Sequence, residues 1–405
     1  MTKFKRNFGS GCVMVLLISL MVAGGPAIGG EPKPGDVINA ANVEQYQDYF
    51  PYFMQRFITD GWGFSEPLTV HVTEYAENIN PKSFREITRK NAGKTKLNPD
   101  GSLSGYEAGI PFPDPQEPNK ALKIMWNFQH RWRGDDYWYP GGYIITDKRK
   151  DSKAVSKRAN IKQLKFAYRT VLDPKPELNN PKDLFFAWLY LAMTPPNKDM
   201  TTLTWRYNDS LKYDDMWCWI PTLRRTLRLV SSDRSTPVNG TPYTWDDFYG
   251  WDGQTLAFDY KMLGEKPMLG ICNSQTDASK HPNGYDKPVM GGPDNPYEIR
   301  DIAIVEVKSK NPRHPESKKI LYMHKEINGV LHAETYDKLG LLWKINTTAF
   351  GKATTVLGET GPWFHGNVMA DMKTEFFSFC LLDKVSIDNG FDKSLFDPGV
   401  IEPYN

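Results

Sequence analysis

Apolar positions along the chain follow two rhythms, one near the helical period in the first third and one of two residues afterwards. Between Pro34 and Asp60, Asn39 stands where a helix cap belongs, and Val43, Tyr46 and Phe50 follow near helical spacing. This predicts an early helix, stopped by Gly61 and Gly63. Leu68 to Ala76 then alternates apolar and polar side chains as a half-buried strand does. The stretch Ser104 to Asn119, dense in glycine, proline and rings, reads as a stiff, packable loop. After it KALKIMWNFQHRW places Leu122, Met125, Trp126 and Gln129 on one helical face, with Gly134 as its stop.

From Tyr143 the period changes to two. IKQLKFAYRTV, TTLTWRYND, DDMWCWI and TLRRTLRLV carry β-branched and aromatic residues in alternation, as strands do. Between the first two, NPKDLFFAWLYLAMTPP offers Asn180 as a cap, Pro181 for a first turn and Pro195-Pro196 as a stop. It predicts a helix through Leu184 to Met193, apolar nearly all round and therefore enclosed by other structure. In the last third, RDIAIVEVKS leads to two alternating runs separated by Asn328-Gly329, a strong short-range hairpin signal. A second turn follows at Asp337 to Gly340, and Lys373 to Val385 closes the meander. No fixed-period repeat interrupts this order.

Composition changes the picture at the ends and in the aromatics. Lys3, Lys5 and Arg6 precede the apolar run Val13 to Ala23, and small residues follow near Ala27 to Gly30. That three-part layout predicts a cleavable secretory signal over residues 1–30, because so short a run falls well below the roughly 20 residues a spanning helix needs. Cys12 precedes the run, where a lipidated cysteine would follow it. Taking Lys3, Lys5 and Arg6 from the 50 basic residues leaves 47 against 48 acidic ones, a balance that excludes a nucleic-acid footprint. Residues 31–405 are expected to fold as a single domain. Cys218, Cys272 and Cys380 allow at most one disulfide, and their spacing does not choose a pair.

The chain holds 12 Trp, 20 Tyr and 21 Phe, rings that must be buried, stacked or placed against a ligand. Trp205, Tyr207, Trp217 and Trp219 alternate with other residues on neighbouring strands, so they form a ring-lined face. Filled, that face is core; partly open, it is an apolar cavity. Arg224, Arg225, Arg228 and Arg234 crowd the following strand and its exit, either as a solvated edge or as a basic rim for an anionic head group.

Motifs for common chemistries fail. Gly93-Lys94-Thr95 has Thr88 where a phosphate loop needs glycine, and GSLSG from Gly101 puts Leu103 at the nucleophile's place. The histidines show no metal spacing, and neither a metal nor a cofactor is expected. TWDDFYGWDG sets Asp246, Asp247 and Asp252 among rings, the composition of a carbohydrate enzyme or of an aspartate-rich turn.

Taken together, SGYEAGIPFP, MWNFQHRWRGDD, WIPTLRRTLRLVSSDRSTPVNGTPYTWDDF and KMLGE resemble the periplasmic domain-of-unknown-function family thirteen twenty-nine, which is outer-membrane lipoprotein-sorting-like. The block Trp219 to Phe248 is its most specific piece, and the likeness spans nearly all of residues 31–405. The resemblance implies a mainly β (α+β) fold similar to the LolA and LolB carriers: a strongly curved antiparallel sheet, an unclosed barrel, with helices plugging its concave face. It also implies company, in the form of an export pump of the resistance-nodulation-division type and an outer-membrane β-barrel protein.

The resulting expectation is a periplasmic carrier that shields a hydrophobic cargo, a lipid or acyl chain. Phe185, Trp188, Leu189, Trp205, Tyr207, Trp217 and Trp219 are expected to line or plug its cavity, with Arg224 and Arg225 at the mouth. Two alternatives stand beside it: an envelope enzyme acting on carbohydrate through Asp246, Asp247 or Asp252, and an accessory subunit of an export pump that binds no small molecule.

Overall fold

A computed structural model describes residues 30–62, 66–149, 152–229, 234–276, 290–291, 293–382 and 384–401. The expected signal segment lies outside the described residues, apart from Gly30. Two small ribbons come first: β1 (Val37–Ile38) with β2 (Val70–His71), and β3 (Lys96–Leu97) with β4 (Leu103–Ser104). Three short helices accompany them, α1 (Met54–Asp60), α2 (Lys82–Asn91) and α3 (Lys120–Gln129). The single helix expected before Asp60 is two pieces, a 3-10 turn at Val43–Tyr49 and α1, separated by Pro51, which has no N–H to continue a helix. Gly61 ends α1 in the left-handed conformation.

The rest of the fold is one 15-stranded sheet made of two meanders. The first runs β6 (Tyr143–Arg149), β7 (Val155–Lys165), β8 (Leu184–Ala192), β9 (Thr201–Tyr207), β10 (Asp215–Ile220) and β11 (Arg225–Leu229), each antiparallel to the next. The second runs β12 (Phe258–Gly270), β13 (Glu298–Ser309), β14 (Glu316–His324), β15 (Gly329–Asp337), β16 (Leu342–Thr354), β17 (Thr360–Asp371) and β18 (Phe376–Leu382). Pairing of β18 with β6 joins the meanders, which leaves β11 and β12 as the two free edges. Exposed Arg225 and Arg228 on one edge and Pro267 on the other are the residues that discourage edge-to-edge association. Two short strands, β5 (Asp136–Trp138) and β19 (Ser386–Ile387), extend β7 on the side.

The sheet is strongly curved. In a flat sheet β8 and β14 would stand seven strand spacings apart, roughly 34 Å at about 4.8 Å each. Yet Trp188 of β8 packs on Trp245, and Lys319 of β14 pairs with Asp247, only two residues along. The sheet must curl round to bring both strands to one short segment. That segment belongs to the connection between β11 and β12, so a single crossing links the two free edges through the concave side.

The expected helix at Leu184 to Met193 is instead β8, and its physical reason is burial on both faces. Phe186, Trp188 and Tyr190 point to the concave side, while Ala187 and Leu189 pack on the outer side under the C-terminal residues Phe396 and Ile401. A strand covered twice loses its alternation and reads like a buried helix. Asn180, expected as a helix cap, instead accepts from the Leu184 N–H and donates to the Leu184 carbonyl, fixing the start of the strand. The expected plug of helices is likewise only partly helical. Besides α3, an irregular chain from Thr241 to Asp252 fills the concavity with Trp245, Phe248, Tyr249 and Trp251. Over the middle of the outer face lie Phe50, Phe53, Met54 and Phe57 of the N-terminal segment. Asn328, with φ of 53°, makes the expected hairpin turn between β14 and β15.

Adjacent Asp135 and Asp136 act as knots between distant loops. Asp135 accepts from the backbone N–H groups of Thr170, Val171 and Leu172 at 2.7 to 2.8 Å. Asp136 accepts from those of Asn389, Gly390 and Phe391 at 2.7 to 2.9 Å. Gly134 before them has φ of 66° and lies so close to Ile387 that a Cβ would meet it at 2.3 Å.

Candidate functional site

Between the crossing chain and the concave face lies an apolar cavity. Its floor is the seam of the sheet: Ile145 of β6, Ala159 and Ile161 of β7, Tyr190 of β8, and Cys380 and Leu382 of β18. Its roof is the crossing chain, with Tyr243, Phe248 and Tyr249. Each floor residue is there because alternate positions of a strand face the same way. Polar groups at this cavity are satisfied by one another: the Tyr243 hydroxyl donates to Asn367 Oδ1 at 2.8 Å, and Lys157 pairs with Asp147 at 2.9 Å. Burial pushes the Cys380 thiol up to about 12, so it is no nucleophile. The lining is that of a hydrophobic small-molecule site.

Two buried ionic clasps hold the roof down. In the first, Arg206 of β9 grips Asp214 at 3.0 Å and Asp252 at 3.1 Å, while Arg234 reaches Asp214 at 2.6 Å, Asp246 at 2.8 Å and Asp252 at 3.2 Å. In the second, Asp247 lies between Lys319 of β14 and Lys344 of β16. Burial alone would raise the Asp246 carboxyl, but Arg234 and His314 hold it well below the usual carboxylate range. Asp247 is likewise lowered against its burial by Lys319 and Lys344. Asp246, Asp247 and Asp252, the carboxylates considered for an enzyme, are ion-paired in these clasps, and none of them lines the cavity.

The nine residues expected at a cavity are not gathered at one. Trp188 alone lies next to it, with its ring edge-on to Phe248 of the roof at 5.3 Å. Phe185 packs beside it on His130 and Tyr168. Leu189, Trp205 and Tyr207 sit on the outer face, where the Trp205 indole donates to the Phe396 carbonyl at 2.8 Å. Trp217 joins Trp205 edge-on at 4.7 Å, and Trp219 follows two residues on, half-buried. Arg224 occupies the β10–β11 turn with φ of 48°, and Arg225 is exposed on the edge strand. Period two predicted a shared face, and the register makes it the outer one. The roof residues Tyr243, Phe248 and Tyr249 went unrecognised as lining, although their ring density was visible in the sequence. Cys218, Cys272 and Cys380 are buried and unpaired.

Next to this cavity is a second, bounded by Arg131, Arg133, Tyr137 and Phe350. Tyr249 and Phe364 wall both cavities, their rings edge-on at 5.2 Å, and the Tyr137 and Tyr249 hydroxyls meet at 2.6 Å.

The family model "Protein of unknown function (DUF1329)" matches residues 37–392. No curated protein matches the chain. Among solved structures, a domain from Vibrio parahaemolyticus named for outer-membrane lipoprotein sorting is 16% identical, covering 70% of this chain and 98% of its own, with a TM-score of 0.51. A DUF1329 protein from Desulfovibrio piger is 15% identical over 69% of this chain and 97% of its own, with a TM-score of 0.50. A LolA superfamily protein from Nitrosomonas europaea is 14% identical over 69% and 94%, at a lower TM-score of 0.40. Among the described residues no helix is long and apolar enough to cross a membrane.

Proposed function

Since the chain belongs to the DUF1329 family, whose fold it shares, we propose that it is a periplasmic carrier that holds a hydrophobic cargo, a lipid or acyl chain, in the concave side of its open sheet. One observation carries the reading: the apolar cavity between the β6–β8 and β18 floor and the clasped roof. Burying a hydrocarbon chain there contributes about 0.8 kcal/mol per methylene, enough for firm yet reversible binding without any chemical step. A carrier also suits the expected export signal, and it would serve an envelope transport system, with an exporter of the resistance-nodulation-division type and an outer-membrane β-barrel protein as its partners.

The test is to purify residues 31–405 from the periplasm without detergent, extract with organic solvent and weigh the extract by mass spectrometry. A stoichiometric lipid, lost when Ala159→Leu narrows the cavity, is expected. Recovery of no lipid, before and after incubation with envelope lipids, refutes the carrier.

A further inference from the structure

Arginine pairs on the concave side divide into two kinds. Arg206 and Arg234 are each ringed by carboxylates. Arg131 and Arg133 are as deeply buried, 7% exposed each, but no ion pair joins either to a described residue. Arg131 spends one N–H on the Phe128 carbonyl at 2.7 Å and lies over the rings of Phe128 at 3.9 Å and Tyr249 at 5.2 Å. Arg133 lies 5.2 Å from the centre of the Phe186 ring, and its buried Nε has no hydrogen-bond partner. Burial, aided by Arg133, lowers Arg131 to about 9 against the pull of Tyr249 and Asp252.

Both arginines line the second cavity, whose wall of Tyr249 and Phe364 is also a wall of the apolar one. A guanidinium stays charged and presents a fork of donors that matches the oxygens of a carboxylate or phosphate. Leaving two such groups buried and unanswered among the described residues is costly unless something else supplies the negative charge.

We propose that Arg131 and Arg133 receive the anionic head of a single-chain amphiphile, a carboxylate or phosphate monoester, whose tail passes Tyr249 and Phe364 into the apolar cavity. This inference rests on the carrier reading and names the chemistry of its cargo. It also makes α3 and the turn after it, the segment that delivers both arginines, part of the ligand site.

Binding of hexadecanoate, hexadecanol and inorganic phosphate to delipidated residues 31–405 by calorimetry separates the possibilities. The acid is expected to bind about tenfold or more tightly than the alcohol, the worth of a hydrogen bond to a charged group. In Arg133→Met the acid should weaken to the level of the alcohol, while the alcohol is unchanged. In Arg133→Lys, which keeps charge but not the fork, the acid should fall between. Equal binding of acid and alcohol by the unaltered protein overturns the head-group site and leaves the carrier standing. Binding of neither chain overturns both. Arg133-dependent binding of phosphate without any preference for the acid makes this a site for a free anion and overturns the amphiphile. The acid-against-alcohol comparison needs no variant, so it decides the matter even if the substitutions fail to fold.

Discussion

Arg234→Met removes the guanidinium shared by Asp214, Asp246 and Asp252 while keeping the stem that packs beneath it. The three carboxylates are then left with Arg206 and the more distant His314. Removing one partner of a buried ionic cluster costs about 3–5 kcal/mol, because the charge left behind has no solvent. Unfolding entropy of roughly 2.1 cal/mol/K per residue over about 370 residues converts this into a fall in Tm of about 4–6 °C. The pH dependence identifies the cause. In the unaltered protein Asp246 is held below its ordinary value of 3.8, so its contribution is present above that pH and fades as pH drops below it. In the variant the crowded carboxylates are pushed up instead, and protonation relieves them, so the deficit should be greatest at pH 7 and narrow toward about pH 4. Calorimetric scans of both proteins across that range provide the assay. A deficit under about 1 °C, or one that does not change with pH, refutes the clasp as an electrostatic device; adding Asp246→Asn to the variant should recover part of the loss.

Three further outcomes are expected. Asp388 is raised by burial, and further by Asp135 and Asp136, to about 7, above its unfolded value, so it erodes stability as pH rises from about 4 to 7. Asp388→Asn, which still accepts from the Asp135 N–H, should therefore raise Tm at pH 8 and do little at pH 4, by no more than about 4 kcal/mol; an equal effect at both pH values contradicts this. Gly250 has φ of 86°, and a Cβ there would lie 2.6 Å from Val330, so Gly250→Ala should destabilise by about 2 kcal/mol or more in denaturant titrations, whereas Gly340→Ala, with open space around it, should lose only the left-handed penalty of about 1–2 kcal/mol. Replacing Arg225 and Arg228 together by valine should promote self-association in sedimentation runs, since those two charges guard the β11 edge; a strictly unchanged sedimentation coefficient argues that the edge is protected otherwise.

The strands and the Asn328-Gly329 hairpin were legible because their signals are local: alternation, β-branched residues and a residue pair suited to positive φ. Leu184–Ala192 was misread because burial on both faces is a property of what covers a strand, and its covers, Trp245 and Phe396, come from far along the chain. The rings of β9 and β10 were correctly placed on one face, but only register and curvature decide whether that face is inner or outer. Asp246 and Asp247 looked equally suited to catalysis or to structure until Arg234, Lys319 and Lys344 were seen around them. Arg131 and Arg133 were in plain view within the family-like run, yet that no described residue answers their charge is a fact of three-dimensional placement, which no linear pattern displays.

The junction of the two meanders also sets an order of events. Within each meander every pairing is between neighbours in sequence, so each closes a far shorter loop than the seam does. The β6–β18 seam instead joins Tyr143 to Leu382, and the floor of the cavity is built on that seam. Closing so long a loop carries a larger entropy cost than any pairing within a meander. During synthesis the first meander must therefore wait, with Ile145 and Ala159 uncovered, until nearly the whole chain has emerged. The cavity floor is complete only once β18 has arrived, and a chain truncated before Phe376 would keep most of its hairpins without ever acquiring that floor.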